Sequence, residues 1–182
     1  MTLIDRSLQN IRFSKVKKFV GPGSKILDVG CENGELYQYL GKNLKKYVGI
    51  DVQAVRREVN DFNFINGSFP EDLPIGNKEF DAVVMLAVVE HLDEKSLAKL
   101  NQTCHDILKQ HGLLIMTIPS PVVDKILLML RALKIVHAET LHEHHGFLPD
   151  NINNYILEND FDLICHEKFE LGLNNLFVFQ KK

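Results

Sequence analysis

Apolar positions along the chain follow two spacings, and the switches between them mark its elements. Residues 4–20 carry Ile4, Leu8, Ile11, Phe13, Val16, Phe19 and Val20, mostly three or four apart, which predicts an amphipathic helix with one apolar stripe. Gly21-Pro22-Gly23 ends it. The run Ile26 to Val29, interrupted only by Asp28, reads as a strand. It breaks at Gly30 and Gly34, and helical spacing returns at Leu36, Tyr37 and Leu40. This is strand, tight glycine turn, helix.

The same alternation continues. Tyr47 to Val52 predicts a second strand ending on Asp51, and Phe62 to Asn66 a third. About ten residues separate them, so the crossover is expected to be short or irregular. Gly67-Ser68-Phe69-Pro70 opens a polar loop. Phe80 to Val89 is a continuous apolar run after one acid, Asp81, as expected of a central parallel strand buried on both faces. Glu90-His91-Leu92-Asp93 follow, and Leu97, Leu100, Cys104, Ile107 and Leu108 space a helix that Asp93 can cap. Leu113 to Ile118 is a fifth strand, stopped by Pro119-Ser120-Pro121. Ile126 to Leu133 predicts an apolar helix suited to a cover or an oligomer contact. Pro149 is expected to open a further helix through Leu157. Phe161–Glu170 and Leu176–Phe179 then read as a terminal hairpin through Gly172-Leu173-Asn174-Asn175.

Alternating strands and helices followed by a hairpin predict an α/β domain with a mostly parallel sheet and one antiparallel strand at or near an edge. The length of 182 residues suits a single domain spanning 1–182, with the N-terminal helix in 1–23 and a lid or substrate insertion at 119–148. A net charge of -3 argues against a general nucleic-acid binder. Met-Thr-Leu-Ile-Asp-Arg lacks a secretory apolar region, and no apolar run approaches the length of a membrane span. Three widely spaced cysteines, Cys31, Cys104 and Cys165, fit reduced thiols in a cytoplasm better than a disulfide framework. Cys31 sits in the glycine turn, but one cysteine there does not make a nucleophile.

The glycine turn offers backbone N–H groups to a small polar or anionic ligand. Asp51, about twenty residues after Gly30 and at the tip of the neighbouring strand, is placed to accept hydrogen bonds from ribose hydroxyls. The ligand is thus of nucleotide type. Five stretches in order narrow it further: Leu27-Asp28-Val29-Gly30-Cys31 with Gly34; Gly49-Ile50-Asp51; Asn77-Lys78-Glu79-Phe80-Asp81 with Val88-Val89-Glu90-His91-Leu92; Ile107-Leu108-Lys109 with Gly112-Leu113-Leu114-Ile115; and Phe147-Leu148-Pro149-Asp150-Asn151-Ile152. Together they resemble the class I S-adenosylmethionine-dependent methyltransferases, in particular the type-11 group. The resemblance implies a Rossmann-like fold with a mostly parallel seven-stranded sheet and an antiparallel strand from the C-terminal hairpin. It implies S-adenosyl-L-methionine as cofactor, with Asp28 orienting the glycine loop and Gly30 and Gly34 admitting the methionine part. Asp51 would hold the ribose, Ser68 and Phe69 would flank the adenine, and Met85 and Leu86 would meet the amino group through their backbone. Cys31 and Val52 complete the implied cofactor set.

Two residues depart from the family pattern. Glu32 replaces the second glycine, and Ser68 stands where an acid is common. A carboxylate at 32 disfavours the cofactor's own carboxylate unless it faces solvent. For catalysis, a hydroxyl acceptor gains about 10²–10⁴-fold from a general base. His91, beyond the fourth strand, and His144 or His145, in the local cluster His142-Glu143-His144-His145, are the candidates. That cluster reads as a polar lid loop, and no metal is expected. The acceptor is expected to be a small molecule, apolar if the 126–133 segment lines its site and anionic if the basic face of the first helix does (Arg6, Arg12, Lys15, Lys17, Lys18). The protein is expected to be a cytoplasmic monomer or homodimer. The rival readings are a nicotinamide-dependent oxidoreductase, which Gly-Cys-Glu-Asn-Gly fits poorly, and a non-catalytic domain that retains the cofactor fold.

Overall fold

The structure is a computed structural model that describes residues 3–41, 43–54, 57–59, 62–74, 79–122 and 147–182. The periodicities translate into α1 (Leu3–Lys17), β1 (Lys25–Val29), α2 (Glu35–Leu40), β2 (Lys46–Asp51), β3 (Arg57–Val59), β4 (Phe62–Asn66), β5 (Phe80–Leu86), α3 (Glu94–Ile107), β6 (Leu108–Pro119), β7 (Phe161–Phe169) and β8 (Asn174–Lys181). All eight strands join one sheet in the order β3-β4-β2-β1-β5-β6-β8-β7. From β4 to β6 every pairing is parallel, and β8 runs antiparallel to both β6 and β7. The seven expected strands are thus present with the hairpin strand reversed. A three-residue edge strand, β3, is added antiparallel to β4.

Alternation along the strands sends side chains to two layers. On one face Leu27, Val29, Val83 and Met85 pack with Leu97, Leu100 and Cys104 of α3. On the other, Ile26, Tyr47, Val84, Ile115 and Val178 pack with Phe13 and Val16 of α1 and Leu36 of α2. Asp93 caps α3, its carboxylate accepting from the Ser96 N–H at 2.7 Å, which holds that acid below its usual range. At the other end of α3 the buried Lys181 ammonium of β8 donates to the carbonyls of His105 and Leu108. It thereby supplies the donors a helix C-terminus lacks.

Four expectations are revised. β5 stops at Leu86 rather than Val89, because Ala87 takes a left-handed conformation (φ +56) and Val89–His91 coil into a 3-10 turn. β6 begins directly at the end of α3, at Leu108, and absorbs the expected His111-Gly112 turn as an irregularity in its pairing with β5. Of the described residues between β2 and β4, where a short or irregular crossover helix is expected, 57–59 form a strand and 52–53 a turn. Pro149–Asn154 is a 3-10 helix, not a longer α-helix. The apolar segment 126–133, His142, His144 and His145, and most of the expected lid lie outside the described residues.

Candidate functional site

At the C-terminal ends of the parallel strands the chain encloses a cavity of about 850 Å³, a volume typical of small-molecule sites. The turn after β1 forms its floor. Gly30 has φ +77, donates its N–H to Ile50 O at 2.8 Å, and sits so close to the loop after β5 that a Cβ there would lie 2.4 Å from Val88 Cγ2. Both constraints require glycine. Two residues on, Glu32 also takes a left-handed conformation (φ +43) with an exposed side chain. Its N–H donates to Asp51 Oδ2 at 3.2 Å, while the Gln53 N–H donates to Asp51 Oδ1 at 2.7 Å. Asp51 is therefore held from both sides at the tip of β2, facing the cavity. Gly34 closes the turn, donating to Cys31 O at 2.7 Å.

Asp28 is the unusual group. It points to the α1/α2 face, is buried, and accepts a hydrogen bond from the Tyr47 hydroxyl. Burial raises its pKa to about 7; the nearby charges of Asp51 and Glu35 act in the same direction and the Tyr47 bond opposes them. The same burial, with Asp28 and Asp51 close by, pushes the Cys31 thiol up to about 12, so Cys31 remains a thiol at neutral pH and is no nucleophile.

Of the residues singled out from the sequence, Asp28, Gly30, Cys31, Asp51, Val52, Ser68, Phe69, Leu86 and His91 all line this one cavity. Gly34 lies behind the wall, and Met85 is fully buried in the core beneath it. Arg12, from the basic face of the first helix, lines it too, as do Gln9, Asp72, Ala87, Val88 and Lys95, which the sequence reading did not single out as site residues. Asp72 stands out: its carboxylate accepts the Ser68 N–H at 2.8 Å and tucks beneath Gly67, restoring an acid next to Ser68 from four residues away. Spacing alone does not reveal it, because the turn at 67–72 folds the acid back.

A sequence profile of the methyltransferase domain matches residues 5–166. The chain belongs to the methyltransferase-domain family. Among the family's curated proteins it is 36% identical over 107 residues to the rat mitochondrial ubiquinone biosynthesis O-methyltransferase, covering 52% of this chain and 30% of that protein. It is 37% identical over 79 residues to the tRNA U34 carboxymethyltransferase of Pseudomonas fluorescens, covering 38% of this chain and 25% of that protein. The chain spans less than half the length of these curated relatives. Its fold matches the N-methyltransferase NodS of Bradyrhizobium japonicum, solved in complex with S-adenosyl-L-homocysteine, with a TM-score of 0.64 at 16% identity over 97% of this chain and 86% of that one. The sheet is that of the class I methyltransferases.

The donor set fits the family's cofactor. Asp51 presents a fixed carboxylate to the cavity, of the kind a diol would need, and Gly30 leaves no room for a side chain between the turn after β1 and the loop after β5. Phe69 supplies an apolar wall, and the carboxylates around the cavity suit a cationic sulfonium.

Proposed function

We propose that this chain transfers a methyl group from S-adenosyl-L-methionine to a small-molecule acceptor. The observation that carries the reading is Asp51, fixed by the Glu32 and Gln53 N–H groups at the mouth of the cavity and opposite the glycine turn. The bound sulfonium supplies an already activated methyl group. The protein's part is therefore to bind, to align the acceptor and to exclude water, and alignment of this kind supplies about 7–11 kcal/mol. His91, on the 3-10 turn after β5 and lining the cavity, serves as general base where the acceptor is a hydroxyl. A small acceptor is favoured over a nucleic acid by the acidic lining and the net charge of -3, since phosphate backbones are held by basic surfaces. The free cysteines fit a cytoplasmic setting.

Titration calorimetry with S-adenosyl-L-homocysteine tests the cofactor half. The wild-type chain is expected to bind it, and Asp51→Ala to bind about 30-fold more weakly, given about 1.5–3 kcal/mol for a hydrogen bond to a charged group. Equal affinities for the two chains would refute the assignment of Asp51. Transfer of a radiolabelled methyl group to members of an acceptor library separates an enzyme from a non-catalytic binding domain.

A further inference from the structure

Asp28 lines the cavity and is itself buried, only 4% exposed, near the end of the strand that carries the glycine turn. Across the sheet it faces no polar side chain, with Gly49 of β2 on one side and Val84 of β5 on the other. Among the described residues its one hydrogen bond comes from the Tyr47 hydroxyl. The Tyr47 ring is held between those of Tyr37 and Phe64, at 5.3 and 5.6 Å between centroids, so the donor is fixed in place. The charges that act on Asp28 are both negative, Asp51 of β2 and Glu35 of α2. Asp51 has a backbone N–H on each of its oxygens; Asp28 has no such support. The cavity's cations stand elsewhere on its wall: Arg12 of α1, with Glu170 Oε1 3.9 Å from its Nε, and Lys95 in the first turn of α3. His91, on the turn after β5, lines it as well. Burial pushes the Cys31 thiol up to about 12 and the Tyr47 hydroxyl well above its usual range, so neither exchanges a proton near neutrality. Asp28 is the member of this cluster that does.

A protonated carboxyl in an acid-lined cavity ionises when a cation arrives, because an opposite charge within about 4–6 Å lowers a carboxyl's pKa by about 1–3. S-adenosyl-L-methionine brings a net positive charge that S-adenosyl-L-homocysteine, with its neutral sulfur, lacks. Resting on the cofactor reading above, we infer that Asp28 senses the charge of the ligand through a proton: it holds one in the ligand-free cavity, releases it to solvent when the sulfonium cofactor binds, and reclaims one from solvent once the sulfur is neutral. Binding is thereby linked to pH. A ligand that favours the form with fewer protons binds more tightly as pH rises. With Asp28 at about 7 before binding and about 2 lower afterwards, the cofactor displaces about 0.8 proton at pH 6 and tightens about fivefold from pH 6 to pH 7. The product leaves the proton in place and gains nothing over that window. Preference for cofactor over product therefore grows with pH.

Titration calorimetry with S-adenosyl-L-methionine and S-adenosyl-L-homocysteine, in buffers of differing ionisation enthalpy, counts the protons. At pH 6 wild type is expected to release about 0.8 proton or more in excess with the first ligand over the second. In Asp28→Asn that excess is expected to fall by about 0.8 proton, any remainder being that of His91 in the same cavity. Infrared difference spectra read the group directly. The band of a protonated carboxyl, missing from Asp28→Asn, is expected in wild type at pH 6, to vanish with S-adenosyl-L-methionine and to persist with S-adenosyl-L-homocysteine. Tyr47→Phe removes the donor that favours the carboxylate and is expected to move the proton release to higher pH, a result that stands even if Asp28→Asn binds neither ligand. Equal proton counts for the two ligands in wild type overturn the inference, as does an excess unchanged in Asp28→Asn or a pH of release unchanged in Tyr47→Phe. Failure of wild type to bind either ligand removes the cofactor reading and this inference with it, whereas binding of both without proton release removes the inference alone.

Discussion

β1 and β5 lie side by side in parallel register, Asp28 opposite Val84, and both end in a left-handed residue, Gly30 and Ala87 respectively. The two tips touch, since Val88 of one occupies the space a side chain at Gly30 of the other would need. Their construction differs in two ways. β1 carries a buried acid among apolar residues, while the facing stretch of β5 is Val83, Val84 and Met85 without a polar group. The β1 tip turns at a residue that adopts φ > 0 freely. The β5 tip turns at an alanine held there from outside, its N–H donating to Thr117 O at 3.0 Å and Thr117 Oγ1 at 3.1 Å. One turn is written into its own residue and the other is imposed by the neighbouring strand.

Making β1 resemble β5 by neutralising its acid has the largest expected effect. The carboxyl of Asp28 has a usual value of 3.8 when exposed and about 7 when folded, so between these the native state holds a proton the unfolded chain has released. The native state binding more protons means that stability falls as pH rises through this window and levels off above about 7. Asp28→Asn keeps an oxygen for the Tyr47 hydroxyl and carries no charge at any pH. Relative to the parent, the variant's gain in stability is expected to grow by about 3 kcal/mol between pH 5 and pH 8, from 1.36 kcal/mol per pKa unit. Urea denaturation of both chains at the two pH values measures it. A pH-independent difference would mean that Asp28 stays ionised in the fold.

Giving β1 the tip of β5 comes next. Gly30→Ala places a Cβ in a left-handed residue, which costs about 1–2 kcal/mol, and drives it against the Val88 side chain. A loss of about 2 kcal/mol in denaturant-derived stability is expected. Loss of binding of S-adenosyl-L-homocysteine should accompany it, because the contact that tightens the floor of the cavity is the one disturbed. A variant as stable as wild type would show that the loop after β5 yields readily.

The same contrast explains what the sequence revealed and what it hid. Gly30 and Asp51 were legible because a glycine turn and an acid at a strand tip each carry a local physical reason to be there, whereas Asp28 and Cys31 entered only through the resemblance to the family. The parallel order of the strands followed from helix–strand alternation, and the hairpin from the turn residues before β8. The end of β5 was not legible: Ala87, Val88 and Val89 continue the apolar run, and the turn at Ala87 shows only in its tertiary setting, where its N–H donates to Thr117 O and Oγ1. Asp72 and Glu170 were hidden for the same reason, each reaching the cavity or its cation through a turn whose shape depends on distant partners. Arg12 stood out only as one of five basic residues in the first helical stretch of the sequence, and what distinguishes it, the buried Nε beside Glu170, is tertiary.

Relaxing the β5 tip is the smallest change and the sharpest test of the comparison. Ala87→Gly removes the strain of a left-handed alanine, about 1–2 kcal/mol, but frees the unfolded backbone and deletes a half-buried methyl, which together offset most of the gain. The net expected change is a stabilisation of about 0.5 kcal/mol, read as a small rise in the denaturation midpoint at unchanged m-value. Hydrogen exchange at residue 87 carries more information than the midpoint. If Thr117 imposes the turn, the amide stays protected in Ala87→Gly, because both acceptors remain. Thr117→Val removes only the hydroxyl acceptor: a fall in protection at Ala87 is expected if that hydroxyl helps hold the turn, and unchanged protection would leave the hold to the Thr117 carbonyl alone.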